Sequence, residues 1–138
     1  MQRVEPADWR ACVVASMGDG YAQFVTLMGV EFDGPELWLR LRRGDTDELV
    51  LTTTAAGAID SIIDLLPQAA WYEREIAEMF GVDFRGHDTA PLLLAAGSGA
   101  PMRRDAALDA RQTTAWPGEK EPGGAVARRR QLPPGVLP

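Results

Sequence analysis

WYEREIAEMFGVDFRGH, residues 71–87, crowds acids, arginines, aromatic rings and the chain's only histidine into one run. Tyr72, Ile76, Met79 and Phe80 fall at i, i+4, i+7 and i+8, which predicts one apolar stripe on a helix over 71–81. Glu73, Arg74, Glu75, Ala77 and Glu78 fill the remaining faces. Gly81 is placed to close the helix in the left-handed conformation, and VDFRGH reads as an extended segment after it.

Working toward the N-terminus, residues 56–66 predict another helix, with Ile59, Ile62, Ile63 and Leu66 as its stripe and Pro67 as its end. Before it come three strands. ELVLTTT, 48–54, is one. LWLRLRR, 37–43, alternates cleanly, with Leu37, Leu39 and Leu41 on one face and Trp38, Arg40 and Arg42 on the other. YAQFVTLMGVEF, 21–32, places Phe24, Thr26, Met28, Val30 and Phe32 on one face. FDGPE and GDTD are turn chemistry between them, so the strands are expected to pair as antiparallel neighbours. Residues 6–17 predict a helix with Pro6 at its first position, Trp9, Cys12, Val13 and Met17 as its stripe, and Gly18 as its stop. The order predicts an α+β fold: a two-layer domain over residues 1–95 with an N-terminal helix, a three-stranded, mainly antiparallel sheet and a helix pair.

Residues 96–138 have a different character, rich in proline and glycine and without sustained period. Ordering them costs roughly 1–2 kcal/mol per residue of backbone, more than their apolar surface offsets alone. They are expected to form an extended tail, reaching on the order of 140 Å, that lies on partner subunits with Trp116 as its anchor. Residues 1–100 carry seven arginines against sixteen acids, a net of −9, whereas residues 101–138 carry a net of +3. An acidic body argues against nucleic-acid binding. The single cysteine, Cys12, excludes an internal disulfide and a self-contained iron–sulfur cluster. No apolar run approaches the roughly 20 residues that span a bilayer, and MQRVEPADWR lacks the apolar core of a signal peptide.

An enzyme reading of the charged run needs converging groups. Glu73 and Glu75 diverge by about 200° on a helix. Glu75 and Glu78 lie one turn apart and could pair for acid/base work with His87. Arg74 and Glu78 could equally form an i, i+4 ion pair. His87 with Asp83 and Asp88 is a weak metal set, having no second histidine or cysteine. So dense and unbalanced a group of charges is expected to find a partner, either Arg85 within the fold or a basic group on another chain.

The run 73–87 also resembles a family signature, roughly E-R-E-x-x-[DE]-M-F-G-[IV]-x-F-x-G-H-P, of the C-type subunit family of proton-pumping NADH:quinone oxidoreductase, respiratory complex I. Every fixed position through His87 matches. PQAAWYERE, LWLRLRR, PMRRD and TTAWPGEKEP resemble further family segments, so the resemblance covers about residues 5–122. It departs at HDTAPLLL, where Asp88 stands for the proline and an arginine pair is missing. Beside the longer N-terminal regions of many members, the resemblance leads one to expect a short paralogue.

The resemblance implies a non-catalytic structural subunit of the hydrophilic arm, peripheral on the cytoplasmic side of the cell membrane. It implies no cofactor in this chain, with FMN, iron–sulfur clusters and quinone held by partner subunits. The partners it implies are the quinone-site (D-type) subunit and iron–sulfur subunits. The residues expected at the partner interface are Glu73, Arg74, Glu75, Glu78, Arg85, Gly86, His87 and Trp116. The alternative within the class is the equivalent subunit of a membrane-bound energy-converting [NiFe] hydrogenase or formate hydrogenlyase. Outside it stand a free-standing enzyme using Glu75, Glu78 and His87, and a solitary binding module.

Overall fold

A computed structural model describes residues 1–55, 57–95 and 97–107. Three strands, β2 (Gln23–Glu31), β3 (Pro35–Arg43) and β4 (Asp47–Thr54), form an antiparallel meander. Before them lie β1 (Gln2–Arg3) and α1 (Trp9–Gly18); after them come β5 (Ala58–Asp60), α2 (Ala69–Phe80) and β6 (Asp83–Arg85). The class is α+β, as expected, and the meander follows the predicted turns. Its sheet has a fourth strand, because β1 pairs in parallel with β4 in the order β1-β4-β3-β2. Two residues are too few to show a period, so β1 left no signal in the sequence.

The alternation of β3 decides which face is core. Leu37, Leu39 and Leu41 are fully buried, and they lie across from Gly29, Leu27 and Phe24 on β2 and from Thr53, Leu51 and Leu49 on β4. The expected face of β2 is therefore corrected. A register shift between Phe24 and Thr26 inserts one residue, and beyond it the side chains exchange sides. Leu27 is buried, while Met28 and Phe32 are exposed.

Helix α2 covers this face. It comes so close to β2 that Phe80 packs against the bare Cα of Gly29. The rings of Phe24 and Tyr72 meet at 5.4 Å between centroids. Trp9 and Val13 of α1 join the same core, with Cys12 and Met17 packed at its margin. The left-handed stop of α1 is Gly20, at φ 94°, and not Gly18, which remains helical.

The helix expected over 56–66 is corrected as well. Residues 58–60 form β5, parallel to β6 with Ile59 opposite Phe84. A turn follows in which the amides of Leu65 and Leu66 donate to the carbonyl of Ile62. Three of the four apolar residues do face inward: Ile59, Ile62 and Leu66 are buried. Their helical spacing is overridden by the ladder to β6 and by the hydrogen bonds that tie this turn to α2. Among the described residues no helix is long and apolar enough to cross a membrane.

Candidate functional site

The corner is built on α2. Gly81, at φ 69°, closes the helix and its amide donates to Ala77 O. The chain reverses into β6, and Gly86, at φ 88°, turns it again. That second turn brings His87 back over the helix. Its imidazole Nδ1 lies 2.9 Å from Glu73 Oε2. Ser61 Oγ donates to the same oxygen at 2.7 Å, and the amide of Ile62 donates to Oε1 at 2.9 Å. A carboxylate offers only acceptors, so His87 carries its proton on Nδ1 in this pair.

Glu73, expected to face a partner, is instead turned inward: its side chain is 0% exposed. A buried carboxylate is tolerated only when donors replace its water. Here the donors come from the turn after β5 and the turn after β6, so Glu73 ties both to α2. The sequence did carry a signal for this. Position 73 lies four residues after Ala69 and three before Ile76, on the stripe that also holds Phe80, and all four are buried. A carboxylate in an apolar stripe announces a buried acceptor with matching donors. Ser61, one of those donors, lies twelve residues from Glu73, and no local pattern joins the two.

Arg74 and Glu78 do not pair with each other among the described contacts. Arg74 donates to the carbonyls of Ala90 and Pro91 at 3.0 and 2.9 Å. Glu78 accepts from the amides of Leu92, Leu93 and Leu94 at 3.2, 2.7 and 2.7 Å. Desolvation pushes the Glu78 carboxyl up, but the three amides and the nearby Arg74 outweigh it, so it sits below its usual range. Both side chains of α2 thus hold residues 90–94 by main-chain atoms. This segment belongs to the stretch that departs from the family signature, and hydrogen bonds to main-chain atoms do not depend on which side chains it carries.

Arg85, the expected partner of the helix acids, pairs with Asp60 at 2.7 Å. Glu75 and Gly86 are exposed. Trp116 lies outside the described residues. Among the described residues no group of three histidine, cysteine, aspartate or glutamate side chains is arranged to hold a metal. The charged run therefore separates into a buried clamp at Glu73 and His87, a main-chain clamp at Arg74 and Glu78, and a surface ion pair at Arg85. Glu75 and Glu78 do not converge on a common point.

A second unforeseen device reinforces the turn after β5. Arg10 of α1 donates to Asp64 at 2.7 and 2.5 Å and to the carbonyl of Ser61 at 2.8 Å. The Arg10 guanidinium holds the Asp64 carboxyl down from 3.8 to about 2. A folded-state value below the unfolded one stabilises the fold above the unfolded value, and that contribution is lost as pH falls through about 2. Arg10→Met is expected to flatten the loss of stability between about pH 5 and pH 2 in urea titrations, relative to the unaltered chain. Asp64 is 59% exposed, so raising the salt should shrink the difference.

With the fold and corner described, the class follows. Residues 2–112 match the family model described as respiratory-chain NADH dehydrogenase, 30 Kd subunit, and the chain belongs to that family. Within it, the chain is 33% identical over 95 residues to the C-type subunit of NADH-quinone oxidoreductase from Methylobacterium sp. (strain 4-46), covering 62% of this chain and 44% of that one. It is 35% identical over 105 residues to the C-type subunit from Methylorubrum extorquens (strain PA1), covering 75% and 46%. A combined C/D-type subunit from Acidiphilium cryptum (strain JF-5) is 43% identical over 63 residues, covering 43% and 11%. The chain thus spans less than half the length of these three curated relatives.

Two solved structures share the fold. One is a chain of the membrane-bound sulfane sulfur reductase, an archaeal respiratory membrane complex, with a TM-score of 0.63 at 20% identity, covering 75% of this chain and 69% of that one. The other is the trypsin-resistant fragment of Nqo5, with a TM-score of 0.57 at 16% identity, covering 62% and 78%.

Proposed function

We propose that the chain is a non-catalytic structural subunit of the hydrophilic arm of a proton-pumping NADH:quinone oxidoreductase, packed against the quinone-site subunit. The observation that carries this reading is the family match across residues 2–112, which runs through the whole corner. The geometry supports a structural role. Glu73 accepts from three donors and Glu78 from three amides, and Arg85 pairs with Asp60, so these charges serve to hold the shape of the corner. Acid/base work would need one of them to exchange protons with a substrate. The relatives from Acidiphilium cryptum and Chromohalobacter salexigens carry the C and D types in one name, which supports a D-type neighbour. On this reading FMN, iron–sulfur clusters and quinone belong to partner subunits, and the chain meets the membrane only through its complex. Glu75, Arg85, Gly86 and the rim of His87 would face a neighbour, and the tail with Trp116 would lie on one.

The test is affinity isolation of the tagged full chain from gently solubilised native membranes, with partners identified by mass spectrometry. Subunits of NADH:quinone oxidoreductase, the quinone-site one among them, are expected to co-purify. Recovery of the chain alone would overturn the proposal, and recovery with hydrogenase subunits would replace it with the energy-converting alternative.

A further inference from the structure

Strand β2 stands at one end of the sheet, and among the described residues its outer edge pairs with nothing. An unpaired edge is a template for another chain, and folded proteins ordinarily blunt it with lysine, proline, a bulge or a covering element. The one irregularity of β2 lies near its start, between Phe24 and Thr26. The remainder, TLMGVE over 26–31, is regular and holds neither lysine nor proline, and its single charge, Glu31, is engaged by Arg103. Among the described residues no strand covers this edge along roughly 20 Å.

A groove of about 330 Å³ runs between this edge and α2, lined by Thr26, Met28, Tyr72, Glu75, Met79 and Met102. Met28 and Met102 are 43% and 58% exposed. Methionine walls adapt to side chains of different shape. Glu75 stands exposed at the groove, with no cation in ion-pair reach among the described residues.

We propose that the open edge of β2 docks an extended segment of a partner protein as a fifth strand. The segment is apolar on the face that enters the methionine groove and carries an arginine or lysine that reaches Glu75. Edge hydrogen bonds would supply affinity, alternate side chains would supply fit, and the base would set orientation. The acidic body, net −9 over residues 1–100, favours a basic segment over an acidic one. The edge would take such a segment whichever complex houses the chain, and it is separate from the Glu73 clamp.

The test titrates the full chain into a fluorescein-labelled, end-capped decapeptide with threonine at its odd positions and valine at its even ones, the valine at position 6 replaced by arginine so that one base lies on the valine face, read by anisotropy at physiological salt. Saturable binding is expected. A peptide with Nα-methyl groups on its four central residues keeps charge and side chains but cannot pair along an edge, and it should bind at least roughly tenfold more weakly. Glu75→Arg should weaken binding of the unmethylated peptide by a similar factor, with an unchanged circular dichroism melt showing that the fold is intact. Absence of binding, equal binding of the methylated peptide, or equal binding by the Glu75→Arg chain would each overturn the proposal. A chain that sediments as a dimer undisturbed by the peptide would assign the edge to a second copy instead, which also overturns it.

Discussion

Replacing Glu73 by alanine is expected to cost about 3–5 kcal/mol of folding stability, because it removes one acceptor shared by several buried donors. The carboxylate is the common acceptor for Ser61 Oγ, the Ile62 amide and His87 Nδ1. Alanine leaves all three donors without this acceptor, and each unpaired buried donor carries its own desolvation penalty of roughly 1–3 kcal/mol. Glutamine keeps the shape but points an amide N–H at one of the donors. It should cost less than alanine, because the serine hydroxyl can rotate and the imidazole can change tautomer. His87→Ala should cost less again, about 1–2 kcal/mol, since its ring is 10% exposed and loses one hydrogen bond. Urea denaturation of the three variants checks the order. A domain of this size has a total of roughly 5–15 kcal/mol, so Glu73→Ala should remove a large share of it and lower the midpoint of the urea transition. A loss below about 1 kcal/mol would mean that water reaches the carboxylate and that the clamp holds nothing.

The same clamp explains why part of this molecule was legible in its sequence and part was not. Local rules recovered what local geometry determines. The leucine alternation of β3, the turns of the meander and the closure of α2 at Gly81 all follow from pattern. The family was legible because its signature is a run of consecutive, spaced residues. What failed was set by contacts distant in sequence. The isoleucine spacing at 59–66 fits a helix, yet β6 and Glu73 pull that segment into a strand and a turn. Arg10 and Asp64 lie 54 residues apart, and no spacing rule joins them. Arg74 and Glu78 have ideal ion-pair spacing, yet both engage main-chain groups of residues 90–94, a choice that depends on where that segment lies. The inserted residue at Phe24–Thr26 exchanged the faces of β2, because strand period alone cannot show a bulge.

Gly29→Ala should destabilise the domain by about 1–3 kcal/mol, and Gly29→Val by more, through overpacking. The added Cβ would stand 2.6 Å from both Cδ2 and Cε2 of Phe80 and 3.3 Å from Ile76 Cγ2. Elsewhere alanine would gain over glycine in a strand by losing unfolded-state freedom, roughly 0.4–1 kcal/mol, so the clash must exceed that gain to show. It should, because the neighbour is a buried aromatic ring with little room to move and not the loose end of a flexible side chain. Gly18→Ala, in a helix where a Cβ meets nothing within 4 Å, is the control and should stabilise by roughly 0.4–1 kcal/mol. The cause is isolated by Phe80→Ala. That change alone should cost about 3–5 kcal/mol, but the double variant should be more stable than the sum of the two losses predicts, by at least about 1 kcal/mol. Strict additivity would show that Gly29 is needed for its backbone and not for the approach of the helix. The approach matters beyond packing. Phe80 and Glu73 lie on one helix, so a ring pushed off β2 carries the carboxylate away from Ser61 and Ile62. Loosening of the Ile62 amide in hydrogen exchange on Gly29→Ala, a residue on another strand, would be the direct sign that the close contact at β2 holds the corner in register.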